Sequence, residues 1–392
     1  MKSKFNFDDI VERRGTDCVK WDSMDNDDMI PLWVADMDFK AAPCIVDALT
    51  KRLQHEVFGY VKPGSDYFNA VSNWFKKWHH ADLDPDRMVV VPGVVPALSA
   101  IVEAMTDLDD SVIIQPPVYN CFFSTVVNNG RKHIFNSLIK VDLPDGTFTY
   151  KIDYNGLEEA TSRPEAKLLI LCNPHNPAGR LWTKDEIAKV ADICKRNGVQ
   201  VLSDEVHCEL TAPGTMYNSF ATVSEEAIIC VSPSKSFNIA GIQGSCICCP
   251  DEDTLSSVRQ AVWKHEIRDV NPFSVVALPA AYSDDGKEWI DALREYIWEN
   301  YAYLKKYLAD NLPQCPVTLL EATYLPWVDM TFLTDDTASL ESKLKQNFGV
   351  WVNGGEMYGG NGYIRINIAC PRALLVKGLE RFVKGVRQIC SC

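Results

Sequence analysis

The sequence predicts an α/β protein: a large domain with a doubly wound, mainly parallel sheet, and a smaller α+β domain. Short apolar stretches alternate with amphipathic stretches through the middle of the chain, as in parallel strands joined by crossover helices. After residue 288 this alternation gives way to one long helix and shorter strands. A chain of 392 residues also exceeds the size at which one hydrophobic core keeps growing, which favours two domains.

The clearest crossover unit lies near the middle of the chain. Residues 167–172 form an apolar stretch typical of a buried strand, and an Asn-Pro turn ends it. Thr183 and Glu186 have the spacing of a capping box, which predicts the start of a helix, and Asn197 with the following glycine predicts its end. Residues 199–203 form the next strand. A strand, helix and strand of these lengths indicate two parallel strands in one sheet.

The same alternation continues on both sides of this unit. Strands are predicted at residues 111–115, 131–135 and 227–231, and helices after Gly93 and around residues 122–127.

A long amphipathic helix is predicted at residues 288–308, followed by strands at 324–332 and 363–368. The apolar stripe of this helix consists of Ile290, Leu293, Ile297, Tyr301 and Leu304. We therefore predict a large domain of residues 48–285, and a small domain that combines residues 1–47 with residues 286–392.

The composition limits the partners that the chain is expected to have. A net charge of −14 without any basic block argues against nucleic acid and anionic membranes. The N-terminus lacks a signal-peptide pattern and no apolar run could span a bilayer, so we expect no membrane contact and a cytoplasmic location. The 14 cysteines lack the paired spacing of zinc sites, and we expect reduced thiols and no metal.

Polar residues that can carry chemistry follow three of the predicted strands. These are Asn173, Asp204 and Lys235, and ligands of open α/β sheets bind beyond the carboxyl ends of the strands. A lysine can form a Schiff base with an aldehyde, a carboxylate can pair with a ring nitrogen, and the hydroxyls of Ser232 and Ser234 can bind a phosphate. Pyridoxal phosphate (PLP) has all three groups. Taken singly, each of these residues is more often a turn, cap or solvated side chain.

Three further features fit the same interpretation and also have ordinary structural explanations. Gly93, Val94 and Val95 begin a helix whose free N–H groups would bind phosphate, although a glycine turn needs no ligand. Tyr119 could stack on a ring or simply pack. Arg365 lies between apolar neighbours in an alternating strand, where it either meets a carboxylate or faces water.

Together these residues resemble a known family, the fold-type I PLP enzymes of the aspartate aminotransferase superfamily. The resemblance rests on the ordered set Gly93-Val94-Val95, Tyr119, Asn173-Pro-His-Asn-Pro-Ala-Gly179, Asp204-Glu205, Ser232-Pro-Ser-Lys235 and Arg365. The cystathionine β-lyase, or C–S lyase, branch is indicated by the motifs beginning at Trp33, Asp204, Ser232 and Arg365. The resemblance covers nearly the whole chain and implies the aspartate aminotransferase fold with PLP as cofactor.

The resemblance also implies a role for each matching residue. Lys235 would form the Schiff base with the cofactor and move protons, and Asp204 would pair with the ring nitrogen. Asn173 would donate to the 3′-oxygen of the ring, and Tyr119 would stack on it.

On the substrate side, the resemblance implies that Arg365 and the backbone near Ala35 hold the α-carboxylate of an amino acid. Tyr60 matches a tyrosine that reaches the phosphate of a neighbouring subunit, which implies a homodimer; its alternative is plain packing.

Two positions depart from the common aminotransferase pattern. Gln243 replaces an arginine that binds phosphate, and His207, which could assist at the ring oxygen or simply pack, replaces a tyrosine and favours the lyase branch.

The implied activity is α,β-elimination on cystathionine or another L-cysteine S-conjugate, which yields a thiol, pyruvate and ammonia. An aminotransferase of class I or II, acting on an L-amino acid and a 2-oxo acid, is the alternative because it needs the same residues for the first proton transfer. A non-catalytic regulator with a PLP fold is a third possibility, which the absence of a basic patch disfavours.

Overall fold

The structure, a computed structural model, describes residues 4–24 and 26–389. Its helices are α1 (Val19–Asp22), α2 (Pro43–Leu53), α3 (Ser65–His79), α4 (Val94–Met105), α5 (Asn120–Asn128), α6 (Tyr154–Thr161), α7 (Lys184–Arg196), α8 (Glu252–Lys264), α9 (Pro272–Ala281), α10 (Asp284–Asn311), α11 (Thr337–Phe348) and α12 (Arg372–Ile389). Its strands are β1 (Ile30–Pro31), β2 (Met88–Val91), β3 (Ser111–Ile114), β4 (Lys132–Phe135), β5 (Ile139–Asp142), β6 (Phe148–Lys151), β7 (Ala166–Cys172), β8 (Gln200–Asp204), β9 (Ile228–Val231), β10 (Ser245–Cys248), β11 (Trp327–Asp329), β12 (Val350–Trp351), β13 (Asn353–Gly354) and β14 (Tyr363–Arg365).

The centre of the fold is a seven-stranded sheet in the order β2-β10-β9-β8-β7-β3-β4. Strands β9, β8, β7, β3 and β4 are parallel to their neighbours in this series, and β10 runs antiparallel to both β9 and β2. Apolar clusters bury both faces of the sheet, which explains why its strands are continuously apolar. The predicted large, mainly parallel α/β sheet is confirmed.

The crossover from β7 through α7 to β8 has the predicted start and end signals. The Thr183 hydroxyl accepts a hydrogen bond from the Glu186 backbone N–H at 3.2 Å, and the Glu186 carboxylate accepts one from the Thr183 backbone N–H at 2.8 Å. This reciprocal pair satisfies two N–H groups that the first helical turn leaves without partners. The helix ends before Gly198, which has a φ of 67°, a left-handed conformation that favours glycine.

The smaller sheets differ in length from the prediction. The strand expected at residues 324–332 is only β11, and the strand expected at 363–368 is only β14. Pro326 explains why β11 begins only at Trp327 and why β14 ends at Arg365, because a proline has no N–H for the ladder. Its carbonyl still accepts the Ile366 N–H at 3.0 Å, so the chains stay adjacent without a regular strand pair.

The N-terminal segment joins the C-terminal part of the chain, since β1 pairs in parallel with β12. Both predicted domain boundaries fall inside helices, one in α2 and the other in α10. The two-domain division therefore stays a prediction whose boundaries would have to move to helix ends. Among the described residues, no helix is both long enough and apolar enough to cross a bilayer.

Candidate active site

Sheet register brings the predicted strand-end residues to one edge. Cys172, the last residue of β7, pairs with Asp204 at the end of β8, and Asp204 pairs with Cys230 near the end of β9. Adjacent strands lie about 4.8 Å apart, so the loops that follow them start side by side. Asn173, Asp204 and the loop that carries Lys235 therefore leave the sheet at neighbouring positions.

The Lys235 amine is buried in this edge and meets a distant segment of the chain. Its Nζ donates a hydrogen bond to the backbone carbonyl of Ala35 at 2.9 Å, and the Tyr324 hydroxyl donates to the same carbonyl at 3.0 Å. Burial lowers the pKa of Lys235, and the nearby Arg365 cation lowers it further, although Asp36 and Asp204 oppose this. These causes favour a neutral amine, which is the form that accepts a proton.

Asp204 is a buried carboxylate with few partners of its own. Its Oδ1 accepts a hydrogen bond from the Val206 backbone N–H at 3.1 Å. Burial raises the pKa of Asp204 to about 7; the Val206 hydrogen bond lowers it, the Glu205 carboxylate raises it and the Lys235 cation lowers it. A buried carboxyl with this environment gains stability from a cationic hydrogen-bond donor.

His207 and Asn173 leave buried polar atoms without partners at the same edge. Burial is the main cause that lowers the pKa of His207 to about 3, and the cations of Lys235 and Arg365 also lower it. The imidazole is therefore neutral. Among the described residues, its Nδ1 and the Asn173 Oδ1 have no hydrogen-bond partner. The Asn173 amide nitrogen already donates to the Asn218 carbonyl at 3.0 Å.

Arg365 points into the protein, not into water, since only 3% of its surface is exposed. Its Nη2 donates to the Trp33 carbonyl at 3.0 Å, and its Nη1 donates to the Asn176 Oδ1 at 3.3 Å. The guanidinium also lies over the Tyr358 ring at 4.7 Å, and its Nε has no partner among the described residues. This arrangement leaves donor capacity for an additional anion.

Asn176 is a site residue that the sequence reasoning did not single out. It lies three residues after Asn173 in the same Asn-Pro repeat, and it is the carboxamide that contacts Arg365. The repeat itself was the available signal, because the two asparagines are equally placed to reach the sheet edge. Only the fold of the loop distinguishes them.

The predicted phosphate contacts lie at the same edge. The register of β10 places Val231 opposite Cys246, and Cys246 opposite Val90, so β2 and β9 end at the same level. Gly93 is the N-cap of α4, and Val94 and Val95 form its first turn. The first turn of α4 has free N–H groups, which are the groups that bind a phosphate at a helix N-terminus.

The two serines of that loop differ in what they offer. The Ser232 hydroxyl donates to the Gly244 carbonyl at 2.8 Å and accepts the Ser234 backbone N–H at 3.1 Å, so it also shapes the loop. Ser234 is half-buried. Gln243 is exposed and has a positive φ of 59°, and it places no cation in this region.

Tyr119 and Tyr60 occupy opposite environments. Tyr119 is the N-cap residue of α5. Burial raises its pKa, and the neighbouring Cys121 raises it further; the charge of Arg365 lowers this pKa and the charge of Asp204 raises it. Tyr119 therefore lies at the predicted site. Tyr60 is 92% exposed in the segment before α3, so its side chain does not pack within its own chain, and its role stays a prediction.

A strap, residues 33–39, closes the site from the side of the N-terminus. Asn353 binds the carbonyl of Trp33, and Asn367 binds the carbonyls of Val34 and Asp36. Beneath it, the fully buried Lys20 amine contacts the Asp38 carboxylate at 2.7 Å.

The polar atoms of this edge fit PLP. An aldehyde needs a buried amine, a protonated ring nitrogen needs a buried acceptor, and a ring oxygen needs uncharged polar neighbours. Lys235, Asp204 and His207 offer such groups, and the His207 Nδ1 has no partner among the described residues. Asn173 offers its unpartnered Oδ1, an acceptor, because its amide nitrogen already donates to the Asn218 carbonyl.

A second buried polar cluster includes the two residues that follow His207 in the chain. His79, Cys208 and Glu209 place potential ligand atoms within 4.8 Å of one another. The Glu209 Oε1 already accepts hydrogen bonds from Trp74 Nε1 and meets His79 Nε2, each at 2.6 Å. These contacts give the buried carboxylate hydrogen-bond partners within the protein, so the cluster is a hydrogen-bonded network of the fold.

Comparison with known proteins agrees with this chemistry. A family model described as aminotransferase class I and II matches residues 27–382. The chain is 38% identical to cystathionine beta-lyase PatB of Bacillus subtilis over 386 residues, which is 96% of this chain and 98% of that protein.

Two solved structures extend the comparison to the fold. Cystalysin from Treponema denticola, which contains a pyridoxal 5′-phosphate cofactor, has a TM-score of 0.93 and 32% identity over 98% of this chain and 99% of its own. The PLP-bound C–S lyase from Staphylococcus hominis has a TM-score of 0.90 and 33% identity, with 98% of this chain and 99% of its own covered.

Proposed function

The chain belongs to the aminotransferase class I and II family, and we propose that within it the protein is a PLP-dependent carbon–sulfur β-lyase. It cleaves cystathionine or another L-cysteine S-conjugate to a thiol, pyruvate and ammonia. The observation that carries this proposal is the meeting of a buried amine, a buried carboxylate and a buried guanidinium at one sheet edge, in a chain similar over its full length to a cystathionine β-lyase.

Substrate binding is assigned to Arg365 and the strap. The guanidinium binds the α-carboxylate of the amino acid, with Asn176 fixing one of its nitrogens and the Trp33 carbonyl fixing the other. The backbone near Ala35 assists. A carboxylate bound there would lie near Lys235, because the strap itself contacts the amine through the Ala35 carbonyl.

Lys235 is the proton carrier. Its lowered pKa favours the neutral amine, and a neutral amine can take the proton from the substrate Cα. PLP, when bound, withdraws electrons from that carbon so that the proton can leave and the β-sulfur can depart. Asp204 would pair with the ring nitrogen and keep it protonated, and Asn173 and His207 would be the neighbours of the ring oxygen.

Phosphate binding is assigned to the α4 N-terminus at Gly93, Val94 and Val95, with the hydroxyls of Ser232 and Ser234. Tyr119 would stack on the ring. We also propose a homodimer in which Tyr60 reaches the phosphate of the neighbouring subunit. The support is that this tyrosine is almost fully exposed within its own chain.

An assay without a keto acid separates elimination from transamination. Purified protein loaded with PLP is incubated with cystathionine, and pyruvate and free thiol are measured together. Catalytic formation of both is expected. If pyruvate stays absent and amino transfer begins only when a 2-oxo acid is added, the aminotransferase alternative replaces the proposal.

Borohydride reduction tests the site independently of the substrate. The reduced protein is digested and analysed by mass spectrometry, and the label is expected at Lys235. Lys195, an exposed lysine paired with Glu226, provides the reference for non-specific labelling. A label at any other lysine contradicts the assigned site even if the protein is an active lyase.

A further inference from the structure

Asn238 ties the lysine loop to the strap. Its Nδ2 donates to the carbonyls of Met37 and Phe39 at 2.9 and 3.0 Å, and its Oδ1 accepts the Met37 backbone N–H at 2.9 Å. One side chain thus makes three hydrogen bonds to a segment about 200 residues away in sequence. Asn238 has a left-handed backbone with φ of 56°, a conformation that asparagine tolerates better than most residues.

The same loop carries Lys235 three residues earlier, and the same strap carries the carbonyl that the amine contacts. The Lys235 Nζ lies 2.9 Å from the Ala35 oxygen, two residues before Met37 in the strap. Asn238 therefore links the loop that carries the amine to the strap that carries the acceptor of the amine. Movement of the strap relative to the loop would change this distance directly.

A hydrogen bond from the amine to Ala35 has a chemical consequence. A neutral amine has two N–H bonds and one lone pair, and fixing one N–H limits the directions in which the lone pair can point. General base catalysis depends on this direction, since the base must lie within hydrogen-bonding reach of the proton it takes.

We propose that Asn238 is a positioning residue for proton transfer: it holds the strap so that the Ala35 carbonyl orients the Lys235 amine. This inference rests on the proposed function only in assuming a reaction that begins with removal of the Cα proton. Substrate carboxylate binding depends less on Asn238, because Asn353 and Asn367 hold the other end of the strap.

The variant Asn238→Gly tests the proposal, since glycine keeps the left-handed backbone and removes all three hydrogen bonds. His80→Gly is the matched control: His80 is exposed, ends α3 and has a φ of 53°. Asn238→Asp is the second variant. It keeps the acceptor for the Met37 N–H, but an ionised carboxylate cannot donate to the two carbonyls.

Hydrogen exchange of the PLP-loaded protein measures how well the strap amides are protected, without any substrate. Amides of residues 34–39 are expected to exchange about tenfold faster or more in Asn238→Gly, and to stay unchanged in His80→Gly. An unchanged strap in Asn238→Gly would overturn the proposal, whether or not the protein is a lyase.

Kinetics with α-deuterated and ordinary substrate then test the proton transfer to the Lys235 amine. Asn238→Gly is expected to lower kcat about tenfold or more, to change KM less than about threefold, and to increase the deuterium isotope effect on kcat. Asn238→Asp should share this pattern. A faster-exchanging strap with a wild-type isotope effect would assign Asn238 a purely structural role. Lack of elimination by the wild type would instead contradict the proposed function, and the isotope effect could still be measured on amino transfer.

Discussion

At the residue scale, the site consists of charged groups that the protein buries without full compensation. Asp204 and Glu205 both have pKa values raised to about 7, chiefly by burial, and the neighbouring Lys235 has a lowered pKa. Such groups destabilise the folded chain unless a ligand pairs with them. The cofactor that the site fits is therefore expected to contribute to stability as well as to chemistry.

Asp204→Asn should reverse part of this destabilisation in the cofactor-free protein. A carboxyl whose pKa is 3.8 ordinarily and about 7 when folded binds more protons in the folded state. Its contribution to stability is present below pH 4 and is lost as the pH rises to 7, by up to about 4 kcal/mol. Urea unfolding from pH 4 to 8 should show a steeper loss of stability for wild type than for the variant, which also lacks the repulsion between Asp204 and Glu205. Parallel curves would contradict the assignment.

Arg365→Lys should raise KM by roughly ten- to a hundredfold with a smaller effect on kcat. A lysine cannot bind a carboxylate bidentately while it also contacts Asn176 and Trp33. Arg372→Lys is the control, because Arg372 binds Asn300 and lies over the Tyr303 ring. Equal effects of the two changes on KM would argue against a specific carboxylate contact.

Sequence reasoning located the residues whose placement follows from strand ends. Asn173, Asp204 and Lys235 could be predicted together, because strands of a parallel sheet end at one edge. Asn176 and Asn238 could not, since each acquires its partner through the path of a loop. Hydrogen bonds between segments 200 residues apart leave no periodic signal in a sequence.

At the element scale, predictions succeeded where local signals and packing agree. The β7–α7–β8 unit has apolar strands, a capping box and a glycine end, and all are present. The strands β11 and β14 were predicted too long, because alternation of side chains does not reveal where the backbone ladder ends. Pro326 interrupts the ladder although its neighbours stay buried.

Thr183→Ala should lower the free energy of unfolding by about 1 kcal/mol, since the capping hydroxyl is lost from α7. Catalysis should not change, because the Thr183 hydroxyl bonds the Glu186 backbone and not a residue assigned to the site. Thr50→Ala in α2 provides the comparison: its hydroxyl binds a carbonyl within the helix, and alanine favours helix there. Denaturant titration of both variants measures their free energies of unfolding, and equal values would show that the cap does not stabilise the protein.

At the scale of the whole molecule, the long-range hydrogen bonds of the strap and the pairing of β1 with β12 connect both ends of the chain to the site. The sequence predicted that the N-terminal segment joins the C-terminal part. It could not place a boundary, because α2 and α10 continue across the predicted positions 47/48 and 285/286.

A mixing experiment tests the proposed homodimer with shared sites. Lys235→Ala and Tyr60→Ala are each expected to be nearly inactive. Subunits exchanged between them should recover about a quarter of wild-type activity, since half of the dimers are hybrids and each hybrid has one intact site. Mixing Lys235→Ala with Asp204→Asn is the control and should recover nothing. No recovery in the first mixture would place Tyr60 outside the neighbouring site.

Trp33 and Trp351 stack face to face with ring centroids 4.0 Å apart, directly behind the Arg365 contact at the Trp33 carbonyl. Indoles this close couple their electronic transitions, so the pair should give an exciton signal in circular dichroism. The protein thus contains an intrinsic optical reporter beside its carboxylate-binding group. Titration with a non-reactive amino acid should change this signal, and Trp351→Phe should remove the change without touching the guanidinium.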